Sequence, residues 1–173
     1  MNHFVVWLKR NRWVLLIGGI TALVLGLSSV RAMAATPPDS VTFFDNPDLQ
    51  ISNGVAVPRD TSYFFTSGLT PRPLSDGTYE PSTFDQSVDV LSRIEALLAE
   101  EALSMSDVIA MNVYLTADPE TGEVDYQSWF DAYGQFFDNE ENPVKTARTV
   151  VAVADLIVPD WRVEASAIAV YPR

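Results

Sequence analysis

The fold class this sequence predicts is α+β, a sheet with two helices on one face, and three observations carry it. Short segments rich in β-branched and aromatic residues recur along residues 48–173. Two segments between them place apolar residues at helical spacing. The last strand candidate, Val163 to Tyr171, sets Val163, Ala165, Ala167 and Ala169 on one face and Glu164, Ser166, Ile168 and Val170 on the other. Alanines admit a helix at close range, so both helices are expected on that face. The Glu164 face then needs cover that one chain does not supply, and an oligomer interface is the natural candidate.

Each element has its own signal. Thr42 to Phe44 and Gly54 to Val57 read as short strands, and Tyr63 to Ser67 as a better one that ends at Gly68. The proline-rich Pro71 to Gly77 is a loop. A helix is expected from Thr83, where Thr83-Phe-Asp-Gln86 fits a capping box, to about Ala102, with Phe84, Val88, Leu91, Leu97 and Leu98 as its stripe. Val108 to Leu115 alternates Ile109, Met111, Val113 and Leu115 against Ala110, Asn112 and Tyr114. Asp125 to Phe137 is a second helix whose aromatic stripe, Tyr126, Trp129, Phe130, Tyr133 and Phe137, is best explained by core packing. Thr149 to Ala154 is the strand before the last. The expected order is β-β-α-β-α-β-β.

The chain is chemically two objects. Lys9, Arg10, Arg12 and Arg31 precede the first acid at Asp39, and a long apolar run from Trp13 is followed by Ala32-Met-Ala34 and then Pro37-Pro38. This is the layout of a secretory signal, so residues 1–34 are expected to be cleaved after Ala34, with 35–47 as a linker and 48–173 as the domain. The alternative is an uncleaved anchor, since Trp13 to Val30 sits at the lower limit of about 17 residues for a spanning helix. Export to the periplasm or medium, or anchoring at the inner membrane facing the periplasm, follows respectively. A membrane partner is expected only if the segment stays attached.

Charge and residue inventory exclude several functions. Beyond residue 34 stand seven basic residues and all 23 acids, a formal charge of −16, which repels phosphate backbones and argues against nucleic acid as a partner. The chain has no cysteine, and its one histidine, His3, lies in the export segment. A Ser-His-Asp triad, a Cys-His pair and the usual zinc sites are therefore out of reach of the domain. The acidic Asp118 to Glu123 turn lacks calcium-loop spacing and reads as solvated. No metal or organic cofactor is expected.

Four segments together resemble the reactive intermediate deaminase (RidA, YjgF-like) family. They are Asn53-Gly-Val with Phe65-Thr-Ser-Gly-Leu-Thr-Pro71, the helix Gln86 to Leu98, Asp107 to Thr116, and Ala147-Arg-Thr149 followed by Val163 to Val170. The resemblance implies a chorismate-mutase-like fold assembled as a homotrimeric barrel, sheets inward and helices outward, with sites at the subunit clefts. It also implies hydrolysis of a small enamine or imine acid to a 2-keto acid and ammonia. Arg148 would grip the carboxylate and Glu164 would position or activate water, while Ser67, Gly68, Phe130 and Val150 would join Arg148 in binding substrate. A guanidinium offers a planar pair of donors to a carboxylate and stays charged at any working pH.

Departures from the family pattern sharpen the choice. Ile51 stands where many catalytic members have tyrosine, Leu69 where they have glutamine, Phe130 where an asparagine is frequent, and Thr146 where a proline is usual. These leave the carboxylate clamp in more apolar surroundings, and the loss of the tyrosine and glutamine positions favours a second reading, a non-catalytic trimeric module that binds a small carboxylate; Glu164 favours catalysis. The bland alternative for Arg148 is an ion pair with one of the many acids, and for Glu164 a solvated or interface position.

Overall fold

The computed structural model describes residues 36–172. The expected export segment and its cleavage point lie outside those residues. Among the described residues no helix is long and apolar enough to cross a membrane.

The strands are β1 (Thr42–Asp45), β2 (Ser52–Ala56), β3 (Tyr63–Phe65), β4 (Val108–Leu115), β5 (Ala147–Ala152) and β6 (Val163–Val170), and the helices α1 (Thr83–Glu100) and α2 (Tyr126–Tyr133). Three strands therefore precede α1, one more than the expected order allows. β1 and β2, the two short strands expected there, form a two-stranded antiparallel ribbon. The main sheet runs β3-β6-β4-β5, with β4 and β5 parallel and the other pairs antiparallel.

Both helices cover one face of this sheet, as the alanine pattern predicts. Val163, Ala165, Ala167 and Ala169 are all buried, against Val90, Leu91, Ile94 and Leu98 of α1, Trp129, Ala132 and Tyr133 of α2, and Met111, Val113 and Leu115 of β4. Fully burying each large aliphatic side chain there contributes roughly 1.5–3 kcal/mol. The other face is open, and Phe65 is 66 % exposed on it, with Tyr63, Tyr114 and Val151 also exposed. β5 is an edge strand, with a free side beyond β4.

Helix boundaries shift for local reasons. Ser82, one residue before the expected cap, accepts the Asp85 backbone N–H at 3.0 Å and donates its hydroxyl to the Asp85 carboxylate. At the other end Ala102 takes a left-handed φ of 57°, and Ala102 and Leu103 donate their N–H groups to Ala99 and Leu98, which ends α1 at Glu100. Helix α2 stops at Tyr133, short of the expected Phe137. The chain turns at Gly134 yet still buries Phe137, whose ring stacks on Tyr133 at 4.6 Å.

Candidate functional site

Strand β5 carries Arg148, and parallel pairing sets it beside Met111, on the face that holds the helices. Its guanidinium is tucked against α2: the carbon lies 3.9 Å from the Tyr133 ring centroid and 5.3 Å from that of Phe130. Cation–π attraction and burial hold the group where side-chain entropy would otherwise scatter it. Tyr133 is anchored in turn, since its hydroxyl accepts the Thr146 N–H at 3.0 Å and shares a hydrogen bond with the Thr146 hydroxyl at 3.0 Å. The platform is thus tied to the residue two before Arg148 on the same chain segment.

No acid lies within ion-pairing distance of Arg148 among the described residues, where the pairs are Arg72–Asp89 and Lys145–Asp138. The ion-pair alternative for Arg148 is not what forms. One terminal nitrogen, Nη1, is buried with no hydrogen-bond partner. Burial pulls the guanidinium pKa below the usual arginine value, with Tyr133 opposing. Arginine starts so high that it stays charged at working pH.

Arg148 opens onto a cleft of about 440 Å³ lined also by Leu49, Ile51, Phe130, Val150, Asp48, Gln50 and Gln127. That volume is in the range of small-ligand sites. The cleft's outer wall is the loop between β1 and β2, pinned from several directions to the segment that leads into β5. Lys145 Nζ donates to the carbonyls of Asn46 and Leu49 at 3.2 Å each. The Ser52 N–H bonds the Thr146 carbonyl at 3.2 Å, and the Ser52 hydroxyl donates to the Lys145 carbonyl at 2.6 Å.

Glu164 stands elsewhere. It pairs with Tyr114 across β6 and β4, on the open face and on the opposite side of the sheet from Arg148. Gly68 adjoins it: a Cβ built on Gly68 would fall 1.9 Å from Glu164 Oε1. Leu69 bridges to Ala165 and holds this turn against β6. Ser67 is exposed beside Gly68. One chain therefore brings together Arg148, Phe130 and Val150 as one group and Ser67, Gly68 and Glu164 as another, and does not join the two. Sequence reasoning missed Tyr133, read as ordinary core, the loop residues Asp48, Leu49 and Gln50, and Gln127 on α2. The position of Tyr133 on the same helical face as Phe130 was the available signal. No cluster of three or more metal-binding side chains occurs among the described residues.

The class that this architecture defines is a two-layer α+β domain with both helices on one face of a mixed sheet and an unpaired arginine on its edge strand. This chain belongs to the endoribonuclease L-PSP family, the YjgF/RidA group, whose family model matches residues 52–171. Its relatives include TdcF of Escherichia coli strain K12, named as a reactive intermediate deaminase, 33 % identical over 63 % of this chain and 79 % of TdcF. The crystal structure of E. coli TdcF with bound serine superposes with a TM-score of 0.54 at 28 % identity, covering 76 % of this chain and 99 % of that one. The E. coli YjgF gene product gives 0.53 at 26 % identity over 64 % of this chain and 81 % of that one.

Proposed function

We propose that the protein hydrolyses a small imine or enamine acid to a 2-keto acid and ammonia, at a cleft completed by a second copy of the chain in a homotrimer. The observation that carries this is the half-buried Arg148 side chain at the cleft, its guanidinium stacked on Tyr133, one terminal nitrogen buried, and no acidic partner among the described residues. A charged group kept free of the domain's many acids is available to an external carboxylate, which accepts two parallel N–H bonds from it. Membership of a family that includes TdcF supports the reaction class.

In this reading the substrate carboxylate lies on Arg148 and its C=N carbon faces Glu164 of the partner subunit. An enamine first tautomerises to the imine, and the imine nitrogen is protonated. The Glu164 carboxylate then takes a proton from water as the water oxygen bonds to carbon and the C=N π pair moves onto nitrogen. The tetrahedral adduct collapses as Glu164 returns that proton to nitrogen: the C–N bond breaks, ammonia leaves, and the hydroxyl oxygen gives up its proton to solvent and remains as the ketone. The separation of the two groups within one chain, and the exposed aromatic face bearing Glu164, are the reasons for requiring a partner. Freshly generated 2-iminobutanoate offered to the purified protein tests it, with ammonia release above the spontaneous rate as the expected result.

A second reading, carboxylate binding without turnover, is favoured by one observation: the cleft wall is Leu49, Ile51, Phe130 and Val150, with few groups to hold a reacting water. RNA cleavage has less support, because the domain offers no histidine and a formal charge of −16.

A further inference from the structure

We infer that the Arg148 cleft selects 2-oxo or 2-imino acids with branched or otherwise bulky apolar side chains over short, hydroxylated or dicarboxylic ones. This rests on the carboxylate reading above and deepens it by naming the substrate class. With the carboxylate fixed on Arg148, the rest of the ligand must lie against what surrounds that guanidinium. Four of the surrounding side chains are apolar: Leu49 and Ile51 on the pinned loop, Phe130 on α2, and Val150, two residues beyond Arg148 on the same face of β5. Ile51, Phe130 and Val150 are half-buried, and Leu49 is 55 % exposed, an aliphatic side chain left in water at the mouth of a cleft.

The polar members of the lining do not offset this. The Gln127 amide already donates to Asp131 at 2.8 Å, the half-buried Gln50 is a single amide set against four apolar side chains, and the exposed Asp48 carboxylate repels a second negative charge on the ligand. A hydroxyl pressed against Ile51 and Phe130 loses water without gaining a partner, whereas a methyl group there is freed from water. The cleft's size of about 440 Å³ leaves room beyond a three-carbon acid. Each fully buried methylene is worth roughly fourfold in affinity, so three additional carbons, partly covered, give on the order of tenfold.

The test is calorimetric titration of the purified full chain with pyruvate, 3-hydroxypyruvate, 2-oxoglutarate and 4-methyl-2-oxopentanoate. The branched acid is expected to bind at least tenfold more tightly than pyruvate, with the hydroxylated and dicarboxylic acids weakest. Leu49→Ser and Ile51→Ser are each expected to pull the ratio of branched acid to pyruvate toward one. Leu49 is exposed enough that its variant folds even where the Ile51 variant does not. Equal or reversed affinities for pyruvate and the branched acid overturn the selectivity while leaving carboxylate binding in place. Binding of none of the acids overturns both.

Discussion

Replacing Gly68 with alanine isolates the contribution of Glu164 without touching its chemistry. Gly68 has an ordinary negative φ, so the position needs a glycine for space and not for conformation. The added Cβ would sit 1.9 Å from Glu164 Oε1 and 2.8 Å from its carboxyl carbon, where ordinary contact begins at 3.4 Å. The carboxylate must retreat by about 1.5 Å, the difference between those distances. Its end is flexible and half-exposed, so the fold loses little: an off-rotamer side chain costs about 0.5–1.5 kcal/mol. A misplacement of about 1 Å in a reacting group costs on the order of 100-fold in rate. Gly68→Ala should therefore lower kcat for ammonia release about 100-fold with a melting temperature within a few degrees of the parent. Glu164→Gln should do at least as much, and the double variant no more than Glu164→Gln alone, because both act through one carboxylate. Turnover by Gly68→Ala at the parent rate would refute the reasoning and remove Glu164 from the mechanism.

Other expectations follow from the same geometry. Arg148→Ala should weaken 2-oxobutanoate binding by about 2–5 kcal/mol in calorimetry while the fold persists in circular dichroism, and Arg148→Lys should recover only part of it, since one ammonium does not reproduce the fork. Unchanged affinity in a folded Arg148→Ala protein would sink the site assignment. Burial raises the Tyr133 pKa, with its hydrogen bonds to Thr146 opposing. A group whose folded pKa is raised contributes stability that is present below its unfolded value, about 10, and is lost as pH climbs through the folded value. Thermal melts should thus fall above pH 10, and Tyr133→Phe should flatten that part of the curve; an equally steep decline in the variant would count against it. Ala102 holds a left-handed φ of 57° at the end of α1, a cost of roughly 1–2 kcal/mol for an L-residue, part of which glycine returns as unfolded-chain entropy. Ala102→Gly should stabilise by about 0.5–1 kcal/mol, seen as a rise of a few degrees in Tm.

Much of this molecule is legible along the chain because it depends on short-range periodicity. The alternation of Val163, Ala165, Ala167 and Ala169 placed both helices on one face of β6, and the apolar spacing of α1 and α2 located them to within a few residues. The ends were harder, since Ser82 and Thr83 compete as caps and only the backbone decides between them. Family resemblance singled out Arg148 and Glu164, yet β5 and β6 do not touch and their relative facing depends on the register each makes with β4. That register results from packing the whole sheet, and it is what sets Arg148 beneath α2 and Glu164 on the open face. Tyr133 looked like core because burial and support of an arginine call for the same aromatic spacing. The Gly68–Glu164 contact joins a turn to a strand almost 100 residues later, a distance no local pattern spans. The sequence by itself determined the fold class, the charge that disfavours nucleic acid and the identity of the arginine. Only the tertiary structure decided that this arginine stays free of the acids among the described residues, because freedom from a partner is a property of positions in space.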